Sequence, residues 1–159
     1  MIYNRIDALQ YADRWALGRN PMYYDYSKIG GDCTNFISQV LHAGGCTMNY
    51  STDGWFYENG NKKSPSWTGV NFLYRFLIKD KVVGPVVEET GVGKIKIGDI
   101  VQLSFQEGNV YNHSLVIVEC GNPASISNIK VSTHTTDQYH YPLSDYKWTK
   151  IRFLHVVRG

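Results

Sequence analysis

Two residues of this sequence, a cysteine and a histidine, have neighbours that suit nucleophilic chemistry. Cys33 follows the turn-forming residues 30–32 and begins an apolar-periodic segment, so we expect its thiol at the first turn of a helix. His113 begins the apolar run of residues 113–118, so we expect its ring at the start of a strand. A cysteine and a histidine in these positions can supply the nucleophile and the base of a cysteine hydrolase.

The expected position of Cys33 also predicts an activated thiol. Amides of a first helical turn carry partial positive charge, and together with a nearby imidazolium they lower the pKa of a cysteine. The amide of Cys33, free at the helix start, could donate to an oxyanion. Taken singly, Cys33 could instead be a small buried hydrophobe and His113 a hydrogen-bonded core residue. The pairing of the two favours catalysis.

A catalytic base needs a third group that accepts a hydrogen bond from its other ring nitrogen. Residues 131–137 end the strand predicted after that of His113 and offer two candidates. His134 is the first choice and Asp137 is the second, although Asp137 could equally be a turn carboxylate. The other histidines are interpreted as structural or solvated: His42, His140 and His155.

The apolar periodicity predicts helices first and strands afterwards. Helical spacing covers residues 4–18, 33–43 and 70–79, with Ile6, Leu9, Ala12 and Trp15 forming the apolar stripe of the first helix. Asn4 and Asp32 are the expected N-caps of the first two helices. Extended patterns follow at residues 82–87, 95–103, 113–119, 129–133 and 151–157, whereas residues 47–69 are predicted to be loop. This order indicates an α+β domain in which the helices pack on an antiparallel sheet.

Composition limits the classes of protein that fit. The chain of 159 residues, without repeats or linker-like stretches, suits a single domain spanning residues 1–159. A formal charge of +2 without a Lys/Arg run argues against a nucleic-acid partner. The three cysteines, Cys33, Cys46 and Cys120, form neither a complete disulfide framework nor a C-x-x-C pair. Cys46 and Cys120 are interpreted as structural, and neither a metal nor another cofactor is predicted.

The location and assembly of the protein are less constrained by the sequence. The first residues lack the apolar stretch of a signal peptide, and no later segment is long enough to span a bilayer. Three explanations therefore stay open: action in the cytoplasm, another export route, or a domain taken from a longer precursor. The oligomeric state is also left open.

Aromatic residues are abundant, with 12 Tyr, 6 Phe and 4 Trp. Such rings dominate cores but also bind sugars and peptides when they are exposed. Trp55 and Trp67 lie in a glycine-rich region and are candidate substrate-binding residues, with core packing as the alternative for Trp67.

Several segments together resemble the bacterial putative amidase domain, a branch of the papain-like superfamily related to NlpC-type cell-wall peptidases and CHAP amidases. The matching segments, spread between about residues 4 and 143, are residues 31–41, 66–68, 98–102, 113–118 and 132–137. The resemblance implies Cys33 as nucleophile, His113 as base and His134 as the third polar residue. It also implies a papain-like fold, with helices packed on a small antiparallel sheet.

The resemblance further implies an amide substrate in peptidoglycan and, for an exported precursor, action outside the cell or in the wall. The first functional hypothesis is therefore a cysteine amidohydrolase that cleaves a stem-peptide bond through a thioester on Cys33. Two alternatives to this hypothesis stay open. One is an acyl or peptidyl transferase with the same Cys33–His113 pair, and the other is a non-catalytic wall-binding module that uses the aromatic loops.

Overall fold

Helices precede most of the strands along the chain. The computed structural model describes residues 1–108 and 110–159. The helices are α1 (Arg5–Trp15), α2 (Cys33–Ala43), α3 (Pro65–Thr68) and α4 (Val70–Ile78). The strands are β1 (Tyr57–Asn59), β2 (Lys62–Lys63), β3 (Val86–Thr90), β4 (Ile100–Ser104), β5 (His113–Glu119), β6 (Lys130–Thr133), β7 (Gln138–Pro142) and β8 (Lys150–Arg158). Short 3₁₀ turns occupy Val92–Lys94, Ile126–Asn128 and Leu143–Asp145.

Six strands form one antiparallel sheet in the order β3-β8-β4-β5-β6-β7, and β1 pairs with β2 in a separate hairpin. Alternate residues of each strand point to opposite faces of the sheet. Val116 on β5 belongs to the core shared with the helices, whereas Leu115 and Ile117 belong to a second core. The α+β prediction, with helices packed on an antiparallel sheet, is confirmed.

Helix α1 packs on α2 through small side chains. The Asn4 carboxamide accepts a hydrogen bond from the amide of Asp7 at 3.0 Å, so the predicted N-cap is confirmed. Ala8 and Ala12 are completely buried, whereas Ile6 is 56% exposed. The predicted stripe was therefore wrong at Ile6, because close contact between two helices is made through alanines rather than through a long side chain.

The expectation that Asp32 caps α2 was wrong. Its carboxylate makes no hydrogen bond to a first-turn amide. It accepts instead from the amide of Tyr26 at 2.8 Å and from the Asn35 side chain at 2.9 Å. The carboxylate is thus engaged by the preceding loop and by the side of the helix. Asn35 and the other residues from Cys33 to Leu41 are all buried.

The sequence misplaced several smaller elements. Residues 47–69 contain the β1–β2 hairpin and α3 rather than only loop, and β7 was not predicted. Residues 82–83 and 95–97 lie outside strands. These elements are short or, like β7, carry a mixed polar and aromatic sequence without a clear period, so periodicity had little to detect. The helical period of residues 70–79 predicts a buried Phe72, but this side chain of α4 is 52% exposed.

Asp99 joins the two ends of the chain beneath the sheet. Its buried carboxylate binds Arg5 at 2.6 Å, the ring of His155 at 2.7 Å and the amide of Val156 at 2.9 Å. The Gly98-Asp99 pair of the sequence therefore has a structural role, fixing α1 against β4 and β8. Within residues 1–108 and 110–159, helices long and apolar enough to cross a membrane are absent.

Candidate active site

The N-terminus of α2 lies against the first residues of β5. The hydroxyls of Thr34 and Ser114 are 3.0 Å apart, and the backbone amide of Ser114 donates a hydrogen bond to the Cys33 sulfur. His113, the residue before Ser114, begins β5 and is 8% exposed, while Cys33 is 7% exposed. The helix and the strand therefore bring the predicted nucleophile and the predicted base to one region, almost shielded from water.

Thr133 is the polar partner of the His113 ring. Its hydroxyl oxygen lies 3.5 Å from Nε2 of His113, and the hydroxyl donates its own proton to the carbonyl of Ser114 at 2.8 Å. The oxygen can therefore accept from Nε2–H, which leaves the Nδ1 lone pair available as a base. The contact is long, as catalytic hydrogen bonds often are before substrate binds.

Burial sets the charge states of the Cys33 thiol and the His113 ring. Loss of hydration lowers the pKa of His113 to about 4, so its ring is neutral at pH 7. Burial also raises the pKa of the Cys33 thiol above its ordinary value, although hydrogen bonds from Ser114 and Thr34 act in the opposite direction. The prediction of an activated thiolate was therefore wrong: the resting pair is a thiol and a neutral imidazole.

His134, the predicted third residue, has hydrogen-bond partners other than His113. Its Nδ1 lies 2.6 Å from the Asp32 carboxylate and its Nε2 lies 2.7 Å from the carbonyl of Trp15, while the ring stacks on Phe36 at 4.1 Å. Both partners are hydrogen-bond acceptors, and the buried ring bridges them. Thr133, the last residue of β6, therefore contacts His113, whereas His134, the first residue after β6, contacts Asp32, the residue before Cys33.

Asp137, the second choice, is held by an arginine. Its carboxylate forms two hydrogen bonds with Arg19, at 2.9 and 3.0 Å. Arg19 also lies 3.5 Å from the carboxylate of Asp32. Asp137 thus fixes the turn after β6 to the loop before Cys33, and the structure places it on Arg19 rather than on His113.

The turn between β6 and β7 closes over the glycines that precede Cys33. The hydroxyl of Thr135 accepts from the amide of Asp32 at 2.7 Å. Thr135 and Thr136 have φ values of 61° and 55°, a left-handed conformation that is costly for β-branched residues. A Cβ on Gly31 would meet the Thr135 hydroxyl at 3.2 Å, so this close approach requires glycine. Contacts from two sides therefore fix the start of α2.

A cleft of about 410 Å³ opens beside His113. Its lining residues are Phe105, Asn112, His113, Thr135, Thr136, Gln138 and Tyr146. The rings of Phe105 and Tyr146 each lie 6.1 Å from that of His113. Burial, followed by the neighbouring Tyr141 and Cys33, raises the pKa of Tyr146 to about 12. Neither Thr133 nor this aromatic wall was found from the sequence; strict alternation along β6 is the signal that could have indicated Thr133.

The two tryptophans that were candidate substrate-binding residues are core residues. That prediction was wrong, and the alternative of core packing for Trp67 is confirmed. Trp55 and Trp67 have no exposed surface. The Trp55 indole donates to Ser38 at 3.0 Å, and the Trp67 indole donates to Asn35 at 2.9 Å. Both rings therefore support α2 from behind. The exposed aromatic groove that a wall-binding module would need is not formed by these residues.

The remaining cysteines and histidines have structural surroundings. All three cysteines are free, and burial raises the pKa of Cys46 to about 12. His42 contacts the carbonyl of Cys46, and His140 lies between two carboxylates, those of Asp13 and Glu119. In the described part of the chain, His, Cys, Asp and Glu side chains are not grouped as a metal site requires.

Comparison with known proteins identifies the family. The family model described as putative amidase domain matches residues 2–157. An uncharacterized Bacillus subtilis protein, YhbB, is 33% identical over 119 residues, which cover 73% of this chain and 37% of YhbB. A second uncharacterized protein of that bacterium, YjcM, is 24% identical over 148 residues, covering 88% of this chain and 32% of YjcM.

These alignments span about a third of the length of each relative. No solved structure matches the chain significantly. The family match covers almost the whole chain, and amide hydrolysis is the activity that the family description indicates. This chain belongs to the putative amidase domain family.

Proposed function

We propose that this domain is a cysteine amidohydrolase in which Cys33 is the nucleophile and His113 is the base. The observation that carries the proposal is the hydrogen bond from the Ser114 amide to the Cys33 sulfur, because Ser114 directly follows His113. The cleft beside His113 supplies space for a substrate. An arrangement of α2 packed on an antiparallel sheet is also what a papain-like hydrolase would need.

The charge states favour general-base catalysis. Neutral His113 accepts the thiol proton through Nδ1 as the Cys33 sulfur attacks the amide carbonyl carbon. The resulting oxyanion accepts a hydrogen bond from the amide of Cys33 at the start of α2. The amide of Ser114 stabilises the sulfur while it carries negative charge.

The second half of the cycle returns both residues to their starting states. The imidazolium of His113 gives its proton to the amide nitrogen as the C–N bond breaks, and a thioester forms on Cys33. The free amine then leaves. His113, neutral again, removes a proton from water, which attacks the thioester. Cleavage of the C–S bond releases the acid, and the Cys33 sulfur recovers its proton.

The substrate that we propose is an amide bond in the stem peptide of peptidoglycan. This choice rests on the resemblance to NlpC-type peptidases and CHAP amidases in the segments around Cys33, His113 and His134. Action in the wall or outside the cell is part of the same proposal. A single amide linkage in a peptide is sufficient for the chemistry described above.

The direct test is the Cys33→Ala variant. The matched control is Cys120→Ala, which changes a partly exposed cysteine. We expect Cys33→Ala to lower the rate of amide cleavage by about 10³-fold or more, because nucleophile and base act as a unit. Cys120→Ala should retain the wild-type rate. Purified protein is incubated with sodium-dodecyl-sulfate-extracted peptidoglycan, with its soluble fragments and with a peptide library, and new amines are measured by mass spectrometry.

Intact-protein mass spectrometry adds a second measurement. An acyl group that accumulates on the wild-type protein and maps to Cys33 supports the thioester. Cleavage that persists in Cys33→Ala would show that another residue is the nucleophile. A ligated product formed in the presence of an added amine would assign the same cysteine chemistry to acyl transfer.

A further inference from the structure

The position of the cleft beside His113 indicates which half of the substrate it would hold. His113 gives its proton to the departing amide nitrogen in the proposed mechanism, so the amine half of the substrate must lie on the side of its ring. The cleft lined by His113, Phe105 and Tyr146 is on that side. We propose that this cleft is the subsite for the leaving amine and that it selects an uncharged, preferentially apolar or aromatic residue there.

This inference rests on the proposed function and adds a substrate class to it. Two rings form the apolar part of the subsite. Phe105 is 45% exposed and Tyr146 is partly buried, and their ring centroids are 6.4 Å apart. A flat or branched apolar side chain placed against these faces would bury them from water, which is the main favourable contribution to binding in such sites.

The polar part of the subsite is neutral. Among the described side chains that line the cleft, Asn112, Gln138, Thr135 and Thr136 are uncharged at every pH. The neutral imidazole of His113 and the protonated phenol of Tyr146 add no charge at pH 7. A carboxylate or ammonium group entering the cleft would lose hydration without meeting an opposite charge on its walls, which is costly. Charged leaving amines should therefore bind and react poorly.

Two of these polar side chains are already fixed by backbone groups. The side-chain oxygen of Asn112 accepts from the amide of Phe105 at 3.1 Å, and the hydroxyl oxygen of Thr135 accepts from the amide of Asp32. The NH₂ group of Asn112 and the proton of the Thr135 hydroxyl are the parts left to donate. Donors of this kind suit the carbonyl oxygens of a peptide backbone, so the amine half of the substrate would continue as a peptide.

A peptide library tests this selectivity without knowledge of the natural substrate. The probe is a mixture of N-acetylated tetrapeptide amides with all positions varied, digested by the wild-type protein and by Cys33→Ala. New amino termini are labelled and identified by mass spectrometry. We expect neutral residues, led by aromatic and branched apolar ones, to exceed Asp, Glu, Lys and Arg at these termini by at least about 10-fold, a discrimination that one pocket can provide.

Two charge variants examine the cleft itself. Gln138→Glu places a carboxylate in the cleft and should raise the share of Lys and Arg at the new termini, whereas Gln138→Lys should raise the share of Asp and Glu. Gln10→Glu is the matched control. Gln10 is exposed on α1, and this substitution makes the same change in net charge outside the cleft. It should leave the preference of the wild-type protein unchanged. Thermal unfolding verifies that each variant is folded.

The outcomes separate the two proposals. Cleavage that depends on Cys33 but yields charged and neutral termini at their input frequencies overturns the subsite and leaves the hydrolase standing. The same conclusion follows if folded Gln138→Glu and Gln138→Lys retain the wild-type preference. If the wild-type protein cleaves neither this library nor peptidoglycan in a Cys33-dependent way, the proposed function fails, and the leaving-amine subsite fails with it.

Discussion

At the scale of single residues, burial decides how Cys33 and His113 can react. A thiol with a raised pKa and an imidazole with a pKa of about 4 do not form a stable ion pair at rest. In the proposed mechanism the thiolate is therefore generated during attack, while the substrate carbonyl approaches. This differs from a cysteine that is ionised in advance by the partial charge of a helix start, which was the expectation from the sequence.

The pH dependence of the reaction follows from these two groups. As the proposed base, His113 can act only when neutral, so kcat/KM should fall as pH drops through about 4, whereas an unperturbed histidine would place this limb near 6.5. Alkylation of Cys33 by iodoacetamide, mapped by mass spectrometry, should be slow at pH 7 and should accelerate only at a more alkaline pH than that of an ordinary thiol, whose pKa is about 8.5. Rapid labelling of Cys33 below pH 7 would contradict this prediction and indicate a preformed ion pair.

At the scale of elements, the end of β6 and the turn after it contribute two neighbouring residues with separate contacts. Thr133, the last residue of β6, contacts the ring of His113, and His134, the first residue of the turn, contacts Asp32. This part of the chain therefore supports the proposed base through Thr133 and the residue before the proposed nucleophile through His134. Thr133 and His134 are neighbours in the chain, but we expect Thr133 to affect turnover and His134 to affect stability.

Substitutions at these two positions should give opposite results. Thr133→Val removes the hydroxyl that orients His113, so we expect kcat to fall by about 10- to 100-fold with KM nearly unchanged. Thr133→Ser should restore most of kcat. His134→Gln removes the ring that lies 2.6 Å from the buried carboxylate of Asp32, so we expect it to lower the free energy of unfolding by about 1–3 kcal/mol. Urea unfolding and steady-state kinetics measure the two effects.

A double variant provides the control for His134. Asp32→Asn with His134→Gln changes both partners of this contact together, so its loss of stability should be smaller than the sum of the two single losses. Additive losses would show that the contact does not couple the two residues. Full turnover and stability in His134→Gln, with wild-type behaviour in Thr133→Val as well, would reject the roles assigned to both residues.

The sequence predicted the elements of the site better than the orientation of its side chains. The helix at Cys33, the strand at His113 and the strand ending near residue 133 were all predicted, because their apolar periods are long and regular. The choice of His134 rather than Thr133 failed for a physical reason. The residue type favoured a histidine. The direction in which each side chain points, however, depends on the strand register, which is fixed by pairing with β5 and β7. Trp55 was misread similarly, because its core contact to Ser38 is not visible from composition.

At the scale of the whole molecule, charged links outside the cleft hold α1 to the sheet at two places. Asp99 binds Arg5 and His155 at one end of α1. At the other end, His140 of β7 lies 2.6 Å from Asp13 of α1 and 2.6 Å from Glu119 of β5. The first link is buried at its carboxylate, whereas the second is open to water and can titrate without unfolding the protein.

The second link predicts a pH window for stability. Burial alone would lower the pKa of His140, but the hydrogen bonds that its ring donates to Glu119 and Asp13 outweigh burial and raise that pKa. The stabilisation from His140 is therefore complete below about pH 6.5 and is lost as pH rises through the raised value. The pKa of Glu119 is lowered, chiefly by His140, so its stabilisation is present above about pH 4.5 and is lost as pH falls through the lowered value.

Both contributions are therefore present between about pH 4.5 and 6.5. Because the three side chains are partly exposed, we expect at most about 1 kcal/mol from this link. Urea unfolding of the wild-type protein and of His140→Gln should differ more at pH 5.5 than at pH 8.5. His42→Gln, which changes a histidine that contacts only a backbone carbonyl among its described hydrogen bonds, is the control. A His140→Gln difference that is equal at the two pH values would show that the bridge contributes through packing rather than through charge.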